Sequence, residues 1–80
     1  MNIHITKNRE KFYYVKNYIH NEYGPAHFNI FRYKMYIIND KLHNELGPAA
    51  IIYSNGLKRY YLNDHEYSYN EWLKRINRKV

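Results

Sequence analysis

Apolar and polar residues alternate with a period of two through most of the chain. Ala26, Phe28 and Ile30 alternate with His27, Asn29 and Phe31, while Ala49, Ile51 and Tyr53 alternate with Ala50, Ile52 and Ser54. Tyr13 and Val15, Tyr36 and Ile38, and Tyr60 and Leu62 share one further pattern. Such alternation, rich in β-branched and aromatic types, predicts half-buried strands. Ser54-Asn55-Gly56 predicts a hairpin turn, because Asn and Gly reach positive φ cheaply. Ile3 and Ile5, then Lys7-Asn8-Arg9, then residues 12–15 predict a first hairpin.

Towards the C-terminus the period lengthens. Ser68-Tyr69-Asn70-Glu71 is a capping box, with Ser at the N-cap and Glu three residues on. Tyr69, Trp72, Leu73, Ile76 and Val80 share one helical stripe, and Glu71, Lys74, Arg75 and Arg78 lie on the other side. The expected fold is therefore mainly β (α+β): an antiparallel meander of about six strands built from repeated hairpins, capped by one C-terminal amphipathic helix.

One phrase is written twice. Residues 19–26 read IHNEYGPA and residues 42–49 read LHNELGPA. The alternating strands follow each copy in the same phase, so the phrase marks a structural unit. Gly24 and Gly47 followed by Pro25 and Pro48 read as a chain reversal, with glycine supplying unusual angles and proline fixing φ. The single domain, residues 1–80, divides into an N-terminal hairpin (1–17), repeat one (18–41), repeat two (42–65) and a helix (68–79).

Composition changes this picture in three respects. Eighty residues bury only about 60% of the unfolded chain's surface, and with no cysteine no disulfide supplements that core. Eleven Tyr, three Phe and one Trp supply the packing area instead. The absence of thiols, of an apolar run near the roughly 18–20 residues a bilayer requires and of a secretory h-region suits a cytoplasmic protein. The formal net charge of +6 favours acidic partners. Asn, Lys, Ile and Tyr supply 39 of the 80 residues, a bias towards A- and T-rich codons expected of many phages and large viruses.

The stretch from residue 12 to 73 resembles MORN-like, GPA-type β-hairpin repeats. The shared positions are His20, Gly24, Pro25 and Ala26 in one copy and His43, Gly47, Pro48 and Ala49 in the next, with Gly56, Tyr60 and Asn63 following. Residues 67–73 are similar to the helix that closes such arrays. The resemblance implies hairpin units used for scaffolding, protein contact or, in some members, acidic-lipid contact. The chain departs from the pattern at Phe31-Arg32-Tyr33-Lys34, which lacks the turn glycine.

Candidate chemistry is sparse. His20-Asn21-Glu22 and His43-Asn44-Glu45 have the residue types of acid–base or metal groups, but the two sets belong to hairpins about 9–10 Å apart. Each His is expected to bond or stack on a neighbouring turn. Thr6, Ser54 and Ser68 are the aliphatic hydroxyls, and no phosphate loop or nucleophile elbow accompanies them. No cofactor or metal is called for, and no enzyme is expected.

Lys74, Arg75, Arg78 and Lys79 form the densest basic cluster, and Arg32, Tyr33, Arg59 and Tyr61 are further candidates for partner contact. The function expected is a non-enzymatic interaction module, phage or virus encoded. It would dock on a host protein or nucleoprotein in the manner of an inhibitor of a bacterial defence complex (an anti-CRISPR protein). The alternatives are direct nucleic-acid binding through the basic helix and an RNase-like activity of the repeated His. Unclosed strand edges leave room for a homodimer.

Overall fold

The computed structural model describes residues 2–77. Along the chain lie β1 (Asn2–Ile5), β2 (Lys11–Val15), β3 (Tyr18–Ile19), β4 (His27–Asn29) and β5 (Tyr33–Met35). They are followed by β6 (Ile37–Ile38), β7 (Lys41–Leu42), β8 (Ala50–Ile52), β9 (Leu57–Leu62), β10 (His65–Tyr67) and helix α1 (Tyr69–Asn77). The main sheet has the order β1-β2-β4-β5-β8-β9-β10, with β3 added to β2, and β6 pairs with β7 apart from it. Every pairing is antiparallel. The expected hairpin meander with one closing helix is thus the fold.

The described residues hold ten strands where about six were expected, because turns without glycine went unread. Asn39 and Asp40 have φ of 49° and 65°, and Asn63 and Asp64 have 50° and 71°. Two successive left-handed residues match the twist of the strands they join, and Asn and Asp tolerate that region better than other side chains. These turns create the short arms β7 and β10, and Lys16 (φ 57°) belongs to the turn that creates β3. The expected turns are present as well: Arg9 (φ 64°) lies between β1 and β2, and Gly56 (φ 67°) between β8 and β9.

The octapeptide does not reverse the chain. Tyr13 donates its amide to the Ala26 carbonyl at 2.8 Å and accepts the His20 amide at 2.9 Å. Tyr36 does the same with Ala49 (2.7 Å) and His43 (3.0 Å). A strand residue turns both backbone groups to the same side. The segments before and after each octapeptide therefore run along one edge in one direction, and the residues between bulge out and return.

Nor does glycine carry the loop. Neither Gly24 nor Gly47 has positive φ, and a Cβ on either would meet only an Asn side-chain nitrogen, at 3.8 and 3.9 Å. Asparagine carries it instead. Asn21 Nδ2 donates to the Pro25 carbonyl at 3.1 Å while its Oδ1 accepts the Tyr23 amide at 3.0 Å. Asn44 repeats both bonds with Pro48 (3.0 Å) and Leu46 (2.9 Å).

Registers give each face of the sheet its rows. On one face Tyr13, Ala26, Tyr36, Ala49 and Tyr60 follow one another across the strands, and Ala26 and Ala49 are fully buried. Alanine is small enough to let the flanking rings close over it. α1 packs on the last of these rings: Trp72 lies 5.0 Å from Tyr60 and Tyr69 lies 5.2 Å from it, centroid to centroid. Ser68 Oγ accepts the Glu71 amide at 3.2 Å, so the N-cap is where the sequence put it. The rest of the core is Ile37, Ala50 and Leu62. The molecule is a slab of 39 × 31 × 17 Å.

These assignments separate the two glycine classes. Gly47→Ala is expected to change stability by less than about 0.5 kcal/mol. Gly56→Ala is expected to cost about 1–2 kcal/mol, because its φ is left-handed. Asn44→Ala is expected to cost about 1–2 kcal/mol through its two lost hydrogen bonds. Urea unfolding midpoints of the three variants check the order.

Candidate functional site

The face that carries α1 also carries a row of lysines. Lys11 pairs across strands with Phe28, Phe28 with Lys34, Lys34 with Ile51, and Ile51 with Lys58. Strand spacing puts these lysines about 9.6 Å apart, with an apolar side chain between each pair. Lys11 Nζ lies 5.8 Å from the Phe28 ring centroid, and Lys34 Nζ lies 5.8 Å from that of Tyr36. The two ammonium groups thus sit over ring faces, with Lys11 and Lys34 half-buried and Lys58 exposed.

The carboxylates do not neutralise this row. Glu10 bonds to Tyr33 and His27, Glu22 to His20, and Asp40 and Asp64 to backbone amides. Glu45 lies 3.6 Å from His43, Glu66 3.3 Å from Arg59 and Glu71 3.7 Å from Lys74. None of these contacts is to Lys11, Lys34 or Lys58, although Glu22 and Glu45 line one groove with Lys34. Among the described residues Lys11, Lys34 and Lys58 form no ion pair.

Beside the row, the two octapeptide loops enclose an open groove of about 710 Å³. Its floor is Lys34, Tyr36, Ile38 and Ile51, and Asn21–Pro25 and His43–Pro48 are its walls. Tyr23 and Leu46 stand on the two loops at equivalent positions, 89% and 95% exposed.

The repeated His residues fasten these loops to the tight turn that ends the same repeat. His20 Nδ1 accepts the Asn39 amide at 3.0 Å, and its Nε2 lies 3.2 Å from Glu22 Oε1. His43 Nδ1 accepts the Asn63 amide at 3.0 Å. An accepting Nδ1 puts the proton of the neutral ring on Nε2, where it points to the glutamate. The expectation that each His serves a neighbouring turn describes this arrangement. Both ring nitrogens of His20 thus have a partner within hydrogen-bond distance, whereas His43 Nε2 stands 3.6 Å from Glu45 Oε1.

The opposite face holds a cluster the sequence reading missed. Tyr33 donates its hydroxyl proton to Glu10 Oε2, and His27 Nε2 lies 3.0 Å from the Tyr33 oxygen and 3.3 Å from Glu10 Oε2. Phe12 stacks on His27 at 4.0 Å. Burial and the Glu10 carboxylate push Tyr33 up to about 12. The hydrogen bonds from Tyr33 and His27 hold Glu10 below its ordinary 4.5. A tyrosine that keeps its proton so firmly is a donor, and the cluster ties β5 to the first turn.

The predicted partner residues are dispersed. Arg32 is exposed at the β4–β5 turn, and half-buried Tyr33 beside it turns its hydroxyl into the cluster just described. Arg59 pairs with Glu66, and Tyr61 shares its strand but lies on the face away from α1. Lys74 pairs with Glu71, and the Arg75 guanidinium lies 4.4 Å over Tyr67. Arg78, Lys79 and Val80 lie outside the described residues. The lysine row was legible as Lys-x-Tyr, which occurs four times and recurs in the phase of the repeat at Lys11, Lys34 and Lys58 but not at Lys16.

Stability should follow the two titrating groups of the cluster. Tyr33 is raised, so its contribution is complete below pH 10 and is lost as pH climbs through about 12. Glu10 is lowered, so its contribution is present above 4.5 and disappears as pH falls below that value. Tyr33→Phe is expected to remove the alkaline loss and weaken the acid one, read from urea midpoints across the pH range. No known protein family matches this chain, nor does any curated protein or solved structure.

Proposed function

We infer that this chain is a non-enzymatic interaction module that docks its lysine row against an acidic surface of a partner protein or nucleoprotein. The observation that carries this reading is the uncompensated row Lys11–Lys34–Lys58. It stands in register across five strands, and among the described residues no carboxylate forms an ion pair with it. Charges held on paired strands at fixed spacing meet an acidic surface with little further loss of freedom. The neighbouring groove, with Tyr23 and Leu46 projecting beside it, adds the apolar area that favours a protein over a bare polyanion. Such docking acts by occupation, covering a surface that another macromolecule would use. Inhibition of a host defence complex is one role this mode of action serves.

Among the described residues no helix is long and apolar enough to cross a membrane. The face away from α1 offers less to a partner. Its arginine is paired, and its Glu10–His27–Tyr33 cluster is satisfied internally.

Polyglutamate and a single-stranded oligonucleotide of equal charge are the discriminating probes. Wild-type chain is expected to bind polyglutamate, with affinity falling about tenfold between 50 and 200 mM salt. Lys34→Glu with Lys58→Glu is expected to abolish binding, while Arg59→Glu on the other face retains it. Undiminished binding by the double variant would overturn the reading. Tighter binding of the oligonucleotide, with a steep salt slope, would replace it with direct nucleic-acid recognition.

A further inference from the structure

The repeat lets one half of the molecule be read against the other. The first loop meets the rung after it as the second loop meets the next. Asn21 donates its amide to the Ile37 carbonyl (3.1 Å) and Asn44 to that of Tyr61 (3.2 Å). The Asp40 amide reaches the Ile19 carbonyl (2.9 Å) and the Asp64 amide that of Leu42 (2.8 Å). The His20–Asn39 and His43–Asn63 bonds, both 3.0 Å, complete the match. The space over Tyr36 beside the Asn21 carbonyl is therefore equivalent to the space over Tyr60 beside the Asn44 carbonyl.

The second of these spaces is filled. Trp72 lies against Tyr60, its indole N–H donates to the Asn44 carbonyl at 2.9 Å, and the ring is 4% exposed. Lys74 and Arg75 follow it within one turn. The first space is the groove. Among the described residues the Asn21 carbonyl receives no donor, and the Tyr36 ring forms part of an open floor. Glu22 stands on the first wall, 64% exposed, and Glu45 stands on the second.

We propose that this groove is a seat for a tryptophan side chain of a partner, followed within a turn by a basic residue. The indole lies on Tyr36 and donates to the Asn21 carbonyl, as Trp72 does one unit later. The basic residue meets the Glu22 carboxylate on the first wall. The two loops stand about 9.6 Å apart, too narrow for a second helix of about 10–12 Å diameter between them. The side chain enters, and the backbone that carries it stays above the rim. This proposal shares Lys34 and the groove with the acidic-surface reading, but its probe and readout are separate, so either can fail alone.

The probe is a synthetic peptide of residues 68–77, titrated into the isotopically labelled full chain and followed by amide chemical shifts. Shifts at Asn21, Tyr36 and Ile51 are expected, and a Trp72→Ala peptide is expected to bind at least about tenfold more weakly. Shifts confined to Tyr60 and α1 would show exchange with the chain's own helix and would overturn the proposal, as would no shifts or equal binding of the two peptides. The exposed change Glu22→Lys in the full chain tests the basic residue without disturbing the floor. Severalfold weaker binding is expected, and unchanged binding would overturn that part of the ligand's description.

Discussion

Each repeat of this chain is closed by one bond set, made where the tip of its last tight turn meets its own first strand. Asp40 and Asp64 each donate a backbone amide to that strand, and their carboxylates accept an amide from it at 2.7 and 3.0 Å. The histidine that follows that strand accepts the amide of the residue before the aspartate. No large side chain is completely buried among the described residues, so apolar packing alone gives a thin core. These polar junctions sit at the edge of that core and are complete, with donors and acceptors matched one to one. A matched set specifies a register where a small apolar core leaves slippage cheap.

The same junction divides the two faces. Because the loops bulge from one edge of each rung and return to it, both project beside the row that holds Tyr13, Tyr36 and Tyr60. That face consequently acquires relief: walls, a floor and a helix at one end. The other face stays flatter and is stitched by local pairs, among them His27 with Phe12 and Arg59 with Glu66. Relief and unneutralised charge coincide on one side, which is why the recognition readings gather there.

The fold was largely legible because alternation of side chains is a direct record of strand geometry. Phe28, Tyr36, Ile51 and Tyr60 reveal their shared face without coordinates. The octapeptides revealed a unit but concealed its mechanism, since Gly-Pro looks like a bend and Asn44 looks like any loop polar residue. A side chain that bonds two backbone groups of its own loop leaves no periodic trace. The Glu10–His27–Tyr33 cluster was hidden for a different reason: its members come from three separate segments and meet only through strand order. The lysine row lay in plain view at Lys11, Lys34 and Lys58, but its meaning required register, because only pairing shows that Phe28 and Ile51 stand between them.

Trp72 donates to the same loop residue, Asn44, whose counterpart Asn21 faces a loop and not a helix. The helix thus stands where a further bulging loop would otherwise begin, and it works as punctuation in a tandem grammar. Duplication of one unit upstream of Ser68 would lengthen the slab by two rungs and leave its closing stroke unaltered. Surface of this kind is extensible in fixed increments, with each added unit supplying one more cation and one more cleft at a constant stride. Lineages that gain or lose copies by slippage would change the reach of the interface without reinventing how the array stops.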